Sequence, residues 1–559
     1  MTRRVYFPLS IITALLSAAL LSAALTHAGE AGAPPGLPDA PGLVLYTVDM
    51  TGDTLVNTGC QSAAIACTLR GALALANNLG AASVIQFDAS LNGTVIALSN
   101  TLYMTGGQTS IAGNGSVLTL IDAATSLPAF SIGSSSNKIL NVSIFGDGAS
   151  GGSFQDGVVI LSGGGNLIQN SSLYNLGGNG VTIQVASGNV LNNNRIGTFR
   201  EGGVISTSCA QPNHRWGVLL SSPNNTLSDN TIGCNLFDGI LIGPVSNNEL
   251  YGNYIGVTYP YTRIANNGNG VQLVSANGNK IGKAGSAPNV IARNGQNNIQ
   301  LADPNTYGNL IQNNYIGTAP LGGSSVTLVN YLNGIAIEGG AHDNIIGGDL
   351  VAQFNTIDGH PDSGIYINNS PGNQVLGNGV TFNYGNGVLL EGITTTGTLI
   401  SGTFIHDGGY FFNNGGGGIR ERNGAGHNVW SHLQVFHNRR IGIDKDPTVN
   451  APDAPYPVVR SAIRNGALIT VSGGASPSGF LAPTVVELYS MIPNPNGFFD
   501  GYFFLGSTVA DNGGNWTLAV PSAYGDCFMA FQTHSNFLVS TSSEFGPTNC
   551  RTFLPLIMK

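Results

Sequence analysis

Charge is scarce in this chain, at 9% of its residues, so the places where it gathers carry information. One gathering runs from Glu338 through Glu391, Arg420, Glu421 and Arg422 to Asp444, Lys445 and Asp446. Two carboxyl groups flanking a sugar linkage can hydrolyse it, one as acid and one as base. Inverting enzymes hold them roughly 6.5–9.5 Å apart to leave room for water. Glu338 and Glu391 are the candidate pair. Arg422 beside Glu391 would keep that carboxylate ionised, as a base requires, whereas Glu338, flanked by Ala302 and Asn368, could more easily hold a proton. Tyr366 offers a ring for stacking on a sugar, and Asn368, Arg420 and Arg422 complete a candidate binding set.

What brings these residues together is a repeat. A turn residue, usually Gly, followed by apolar-x-apolar recurs eleven times, beginning at Gly157, Gly180, Gly217, Gly239, Gly270, Asn298, Gly334, Gly364, Gly387, Gly418 and Gly442. Short strands at a near-regular period of about 22 residues, with loops of variable length inserted, predict a β-solenoid. Strand side chains alternate, so offsets +1 and +3 from the turn residue face inward and offsets +2 and +4 face solvent. Coils stack about 4.8 Å apart, so equal offsets form rows. The +4 row ends Glu338, Asn368, Glu391, Arg422, Asp446, and the +2 row ends Tyr366, Leu389, Arg420, Asp444. Glu338 and Glu391 then lie two coils, about 9–10 Å, apart at the backbone. The simpler reading of this face is a solvated salt ladder, with Arg420 beside Asp444 and Arg422 between Glu391 and Asp446. Inward, Glu421 and Lys445 both occupy +3 and should stack as a buried ion pair closing the solenoid. A second row, Asn166, Asn189, Asn225, Asn248, Asn279, Asn309, Asn344, Asn373 and Asn428, predicts a structural ladder of side-chain amides.

Other chemistry finds little support. No cofactor is implied, and no Cys/His cluster of zinc spacing occurs. Asp343 and Asp349 leave room for calcium with nearby backbone oxygens, while Asp358 and Asp362 fall in loops and form no tight cluster. His406, His427, His432 and His437 read as turn or surface residues. Gly148-Ala149-Ser150-Gly151-Gly152 matches a nucleophile elbow in letters only, because no helix pattern follows it. The net charge of −9, with no basic stripe, argues against nucleic-acid partners. Arg3 and Arg4 followed by an apolar run from Ile11 to Leu25 read as a secretory leader ending near Ala28, with no membrane span after it. Six cysteines fit export; Cys60/Cys67, Cys209/Cys234 and Cys527/Cys550 are the favoured pairs among fifteen possible connectivities.

Three segments carry a resemblance. TVDMTGDT, CTLRGALALANN and VIQFDASLNGT, from Thr47 to Thr94, resemble the start of bacterial secreted proteins with a CSLREA-type N-terminal segment, with Gly71 where that family usually has Glu. From Gly157 to about Asn450 the repeats resemble the right-handed parallel β-helix superfamily, the scaffold of pectate-lyase-like proteins. The alternating strands of residues 456–548 resemble an immunoglobulin-like module. The resemblance brings no catalytic residue. The Trp-x-Asp-His signature of pectate-lyase relatives is absent, as are the Asp-Asp and Gly-His-Gly motifs of polygalacturonases; Gly426-His427-Asn428 comes nearest the last.

The expected organisation is a leader (1–28), a linker (29–42), a cap with a short helix and the first coils (43–130), a right-handed parallel β-helix (131–455), a β-sandwich (456–548) and a tail (549–559). The fold class is all-β. The expected function is that of a secreted or cell-surface protein, non-catalytic, serving adhesion, envelope structure or glycan contact. Its partner would be a polysaccharide or another envelope component. The alternative is an extracellular polysaccharide hydrolase or lyase acting on the outer face.

Overall fold

The computed structural model describes residues 43–546, apart from segments 62–65, 124–125, 149–154, 202–203, 322–323, 328–329, 403, 407–415, 446–455, 478–482, 494–498 and 536–539. The leader, the linker, the Ser150 motif, Asp446 and the tail lie outside the described residues.

Each coil contributes one short strand to each of three parallel sheets. In one coil these are Val158–Ile160, Leu167–Gln169 and Ser172–Tyr174; the next supplies Val181–Gln184, Val190–Asn192 and Arg195–Ile196. Every strand pairs in register with its equivalents in the neighbouring coils. The first sheet has 14 strands, and the second and third have 13 each. This is a parallel β-helix, in which each repeat buries its apolar side only by stacking on the next.

The turn-apolar-x-apolar phrase builds the second sheet. Val158 and Ile160, Val181 and Ile183, and Ile335 and Ile337 are fully buried, so offsets +1 and +3 face inward as the alternation requires. They meet Ile168 and Leu191 from the first sheet and Leu173 and Ile196 from the third. Buried asparagines line the corners. The expected ladder is present: Asn189 Oδ1 accepts from the backbone N–H and the amide of Asn166, at 3.0 and 2.9 Å, and Asn225 repeats the pattern on Asn189. A second ladder runs through Asn194, Asn230, Asn253, Asn289, Asn314, Asn355 and Asn378, and a third through Asn213, Asn235, Asn266 and Asn294. Each amide satisfies backbone groups at a corner where no strand can, which buried corners demand.

The helix Leu69–Leu79 covers the open first coil with Leu69, Ala72, Leu73 and Ala76, all buried. Thr68 caps it by accepting from the Gly71 N–H at 3.1 Å, and Gly80, at φ +62°, ends it in left-handed backbone. Gly71 has a packing reason: a Cβ there would sit 1.9 Å from the Val56 carbonyl oxygen. The neighbouring Arg70 forks onto Asp53 at 2.9 and 2.7 Å.

At the other end, two antiparallel sheets of three and four strands share a core of Val471, Val486, Trp516, Val520 and Phe528. Alternation gives the strand Phe528–Ser535 two apolar faces. Phe528 and Ala530 enter that core, while Met529 and Phe531, with Tyr489 from the strand Val485–Pro493, join the β-helix core. Trp430, fully buried, donates from Nε1 to the Ser543 carbonyl at 2.8 Å across the same junction. The expected inward pair is here: Lys445 Nζ lies 3.5 Å from Glu421, with both side chains buried. Lys445 Nζ also donates to the Ser542 carbonyl at 2.8 Å.

Cys60–Cys67 and Cys209–Cys234 are disulfides, Cys527 is also disulfide-bonded, and the sixth cysteine, Cys550, lies outside the described residues. Such bonds belong to a chain that matures in an oxidising, extracytoplasmic compartment. Among the described residues no helix is long and apolar enough to cross a membrane.

Candidate functional site

Glu338, Asn368, Glu391 and Arg422 are the last residues of the second-sheet strands Ile335–Glu338, Ile365–Asn368, Val388–Glu391 and Ile419–Arg422. Strand pairing sets them side by side in that order, so the +4 row exists as one line on the outer face. Two coils separate the two glutamates, about 9–10 Å at the backbone. Glu391 is held by three donors. Arg422 Nη2 and Tyr366 Oη donate to Oε2 at 2.9 and 2.8 Å, and Asn423 Nδ2 donates to Oε1. Partial burial works against the charged form, but the hydrogen bonds from Arg422, Tyr366 and Asn423 outweigh it and hold the Glu391 carboxyl below its ordinary value. Burial, then the hydrogen bond to Glu391, pushes the Tyr366 phenol well up, so it stays a donor. Glu338 accepts from Gln300 Nε2 at 2.8 Å, and Arg420 pairs with Asp444 at 3.2 Å.

This arrangement presents fixed donors and acceptors on an open sheet face. Glu391 is anchored as an anion, able to accept from a hydroxyl or a water. Acid–base hydrolysis further needs a proton on its partner and a site that shields the reacting bond from bulk water.

The described cavity lies elsewhere, one to four coils before Glu338 on the same face, and the repeat phrase alone does not reveal it. It is an open depression of about 310 Å³, lined by Trp216, Phe237, Asp238, Asn267, Gln272 and Gln296, among others. Trp216 and Asp238 each stand immediately before a repeat glycine. At that −1 position Asn179, Asn269, Asn297, Asn333 and Asn386 cap the next coil's backbone N–H, Asp156 and Asp238 do the same with a carboxylate, and Ser363, Gly417 and Ile441 stand there in other coils. Trp216 puts an indole at that position, where no other copy of the repeat carries an aromatic residue. The Trp216 ring meets Phe237 edge-on at 5.4 Å and its Nε1 donates to Asp238 Oδ2 at 3.1 Å. Asp238 Oδ1 accepts from the Asn269 N–H at 2.6 Å and from its amide at 3.0 Å. Burial raises the Asp238 carboxyl, with these hydrogen bonds offsetting only part of the effect. Asn269 and Gln272 both donate to Gln300 at 3.0 Å, and Gln300 donates to Glu338, so a chain of hydrogen bonds joins the cavity to the candidate row.

The remaining candidates disperse. His427, His432 and His437 sit at φ +54°, +53° and +57°, which makes them turn residues; the side chain of His406 lies outside the described set. Asp343 is engaged by His342 at 2.8 Å, and no group of three or more His, Cys, Asp or Glu side chains converges among the described residues.

No known protein family and no curated protein matches the chain by sequence. Solved structures of similar shape include the Dettilon tailspike protein gp208, with a TM-score of 0.42 at 11% identity over 85% of this chain and 87% of that one. The A-module of the Azotobacter vinelandii mannuronan C-5 epimerase AlgE4 gives 0.38 at 15% identity, covering 68% of this chain and 90% of that one. The catalytic unit of a GH87 alpha-1,3-glucanase from Streptomyces thermodiastaticus gives 0.39 at 13% identity, covering 75% and 68%. At these identities the likeness concerns the winding of the chain, and no residue role passes across it.

Proposed function

We propose that this chain is an exported, non-catalytic glycan-contacting module displayed at the cell surface, with the outer face of the second sheet as its contact surface. The CSLREA-type opening and the immunoglobulin-like end belong to the same reading, as the cap and the closing module of an exposed β-helix. The observation that carries it is the hydrogen-bonded line of side chains running from Trp216 and Asp238 through Asn269 and Gln300 to Glu338, joined at Gln300 by Gln272, and again from Tyr366 through Glu391 to Arg422. Rigid amides, a phenol and paired charges at a coil spacing of about 4.8 Å suit repeated hydroxyl contacts along a polysaccharide. Adhesion and envelope structure are the biological roles such a face would serve.

The second reading, a polysaccharide hydrolase or lyase, is favoured by one observation: Glu391 is held ionised two coils from Glu338 on that face. One experiment separates them. The purified mature chain is offered acidic and neutral polysaccharides, with and without calcium, and scored for binding and for release of reducing or unsaturated ends. Saturable binding without products is expected. Product release that Glu391→Gln abolishes would overturn the non-catalytic reading, and failure to bind any polysaccharide would remove glycan contact altogether.

A further inference from the structure

The cavity beside Trp216 differs in kind from the rest of the face. In the coils after that of Glu338, the side chains of Tyr366, Glu391 and Arg422 are paired with one another, as are those of Arg420 and Asp444. Here the surface sinks into an open depression of about 310 Å³, at the lower limit of the roughly 300–1,000 Å³ typical of small-molecule sites. One wall is aromatic, with Phe237 46% exposed and Trp216 half-buried, their rings set edge to face. Much of the remaining lining is amide, from Asn267, Asn269, Gln272 and Gln296. Asn267 and Gln296 are exposed, and no described residue holds their side-chain amides. Asp238 also lines the cavity, 7% exposed and fixed by Trp216 and Asn269. Aromatic rings lining a cavity together with groups that both donate and accept match a pyranose, which has an apolar C–H face and a rim of hydroxyls.

Charge narrows the class. None of the lining residues is cationic, so a sugar carboxylate or sulfate entering the cavity would find no counter-ion and would meet the Asp238 carboxyl. Hydroxyl-only rings meet no such penalty, because amides satisfy them in either direction.

We propose that the Trp216–Phe237 cavity is a subsite for one neutral hexose ring of a polysaccharide. The inference rests on the glycan-contacting reading above and specifies its ligand class. The hydrogen-bonded path through Gln272 and Gln300 to Glu338 continues from this subsite, so the chain of sugars would extend toward the row that ends in Glu391 and Arg422.

The protein supplies its own reporter. Of its three tryptophans, Trp430 and Trp516 are buried at 0% and 3% exposure, which leaves Trp216 as the fluorophore that a ligand can reach. The full mature chain would be titrated with neutral glucan, galactan and mannan oligosaccharides, and with oligogalacturonate and oligomannuronate, by tryptophan fluorescence and calorimetry. A neutral oligosaccharide should perturb the emission and bind. Phe237→Ala and Trp216→Ala should weaken it by roughly tenfold or more, as loss of an aromatic anchor does. Gln296→Ala should weaken it less. Trp216 also holds Asp238, so Trp216→Ala could disturb the turn; Phe237→Ala and Gln296→Ala change exposed side chains and keep the test decisive. Binding of neutral glycans that both Phe237→Ala and Trp216→Ala leave intact would overturn the subsite and spare the wider reading. Binding of the acidic oligosaccharides alone would overturn the assigned class. Binding of no glycan at all would overturn both.

Discussion

His360 shows how one side chain can replace a structural asparagine and bring a pH dependence with it. It is fully buried in a corner position equivalent to the asparagines of the third ladder. Its Nδ1 meets Asn383 Oδ1 at 2.9 Å and its Nε2 meets the Asn298 amide at 2.9 Å. Those partners define a neutral ring with the proton on Nδ1, because the Asn298 amide must donate to Nε2. Burial lowers the His360 pKa to about 4, against an ordinary value of 6.5. Between those values the unfolded chain takes up a proton that the folded chain refuses. Stability is therefore intact above about pH 6.5 and declines as pH falls toward 4, by about 3 kcal/mol in all. Glycines at 317 and 334 leave the room for the ring. Melting curves recorded from pH 7 to pH 4 should show the decline. His360→Asn, which restores the ladder's usual side chain, should flatten it without loss of fold; an unchanged slope would reassign the pH dependence to another group.

At the scale of the element, the corners matter more than the strands. A three-residue strand contributes few backbone bonds, and the turn after it would leave buried N–H and C=O groups without partners. Asn253 illustrates the solution: its Oδ1 accepts from the backbone and amide of Asn230 at 3.0 Å, and its amide donates to the Leu227 carbonyl and to Asn289 at 2.9 Å. Asn253→Ala strands several buried groups at once and should destabilise the chain by at least about 2 kcal/mol, read as a lower urea midpoint. Gln184→Ala, at the exposed end of the strand Val181–Gln184, is the control and should change little. Equal effects would show that the ladder contributes nothing particular.

At the scale of the whole molecule, the open end of a solenoid is an exposed core that something must close. The helix Leu69–Leu79 closes one end, and the two-faced strand Phe528–Ser535, with Tyr489, closes the other. The Glu421–Lys445 pair sits at that second closure, where Asn428 also donates to Glu421 at 2.8 Å and Lys445 lies 5.4 Å from the Trp430 ring. A buried ion pair is weak evidence for stability, yet breaking one partner is expensive. Glu421→Ala alone should lower stability by about 3–5 kcal/mol, whereas Glu421→Leu with Lys445→Met should recover most of that loss. Chemical denaturation of the three proteins decides it, and a double variant as unstable as the single would mean that the pair itself holds the junction.

How much of this was legible beforehand follows from range. Alternation along a strand and stacking between coils are local and periodic, so the parallel β-helix, its inward apolar rows and the neighbours Glu391–Arg422, Arg420–Asp444 and Glu421–Lys445 could be read from offsets alone. The same counting found the first asparagine ladder, because Asn166 and its equivalents stand within eight to eleven residues of the repeat's turn residue. It overlooked the other two ladders, whose distance from that glycine varies with loop length. It overlooked the cavity as well, since Trp216, Phe237 and Gln296 belong to three different coils and meet only when those coils are stacked. The closure by Met529, Phe531 and Tyr489 joins segments far along the chain from the last coil, Tyr489 lying 56 residues beyond its partner Leu433. The sequence by itself determined what repeats, because each repeat obeys rules of strand geometry within a few residues. The tertiary structure alone decided where the repeat is interrupted, opened or sealed, because those contacts depend on which side chains distant loops bring to the same place.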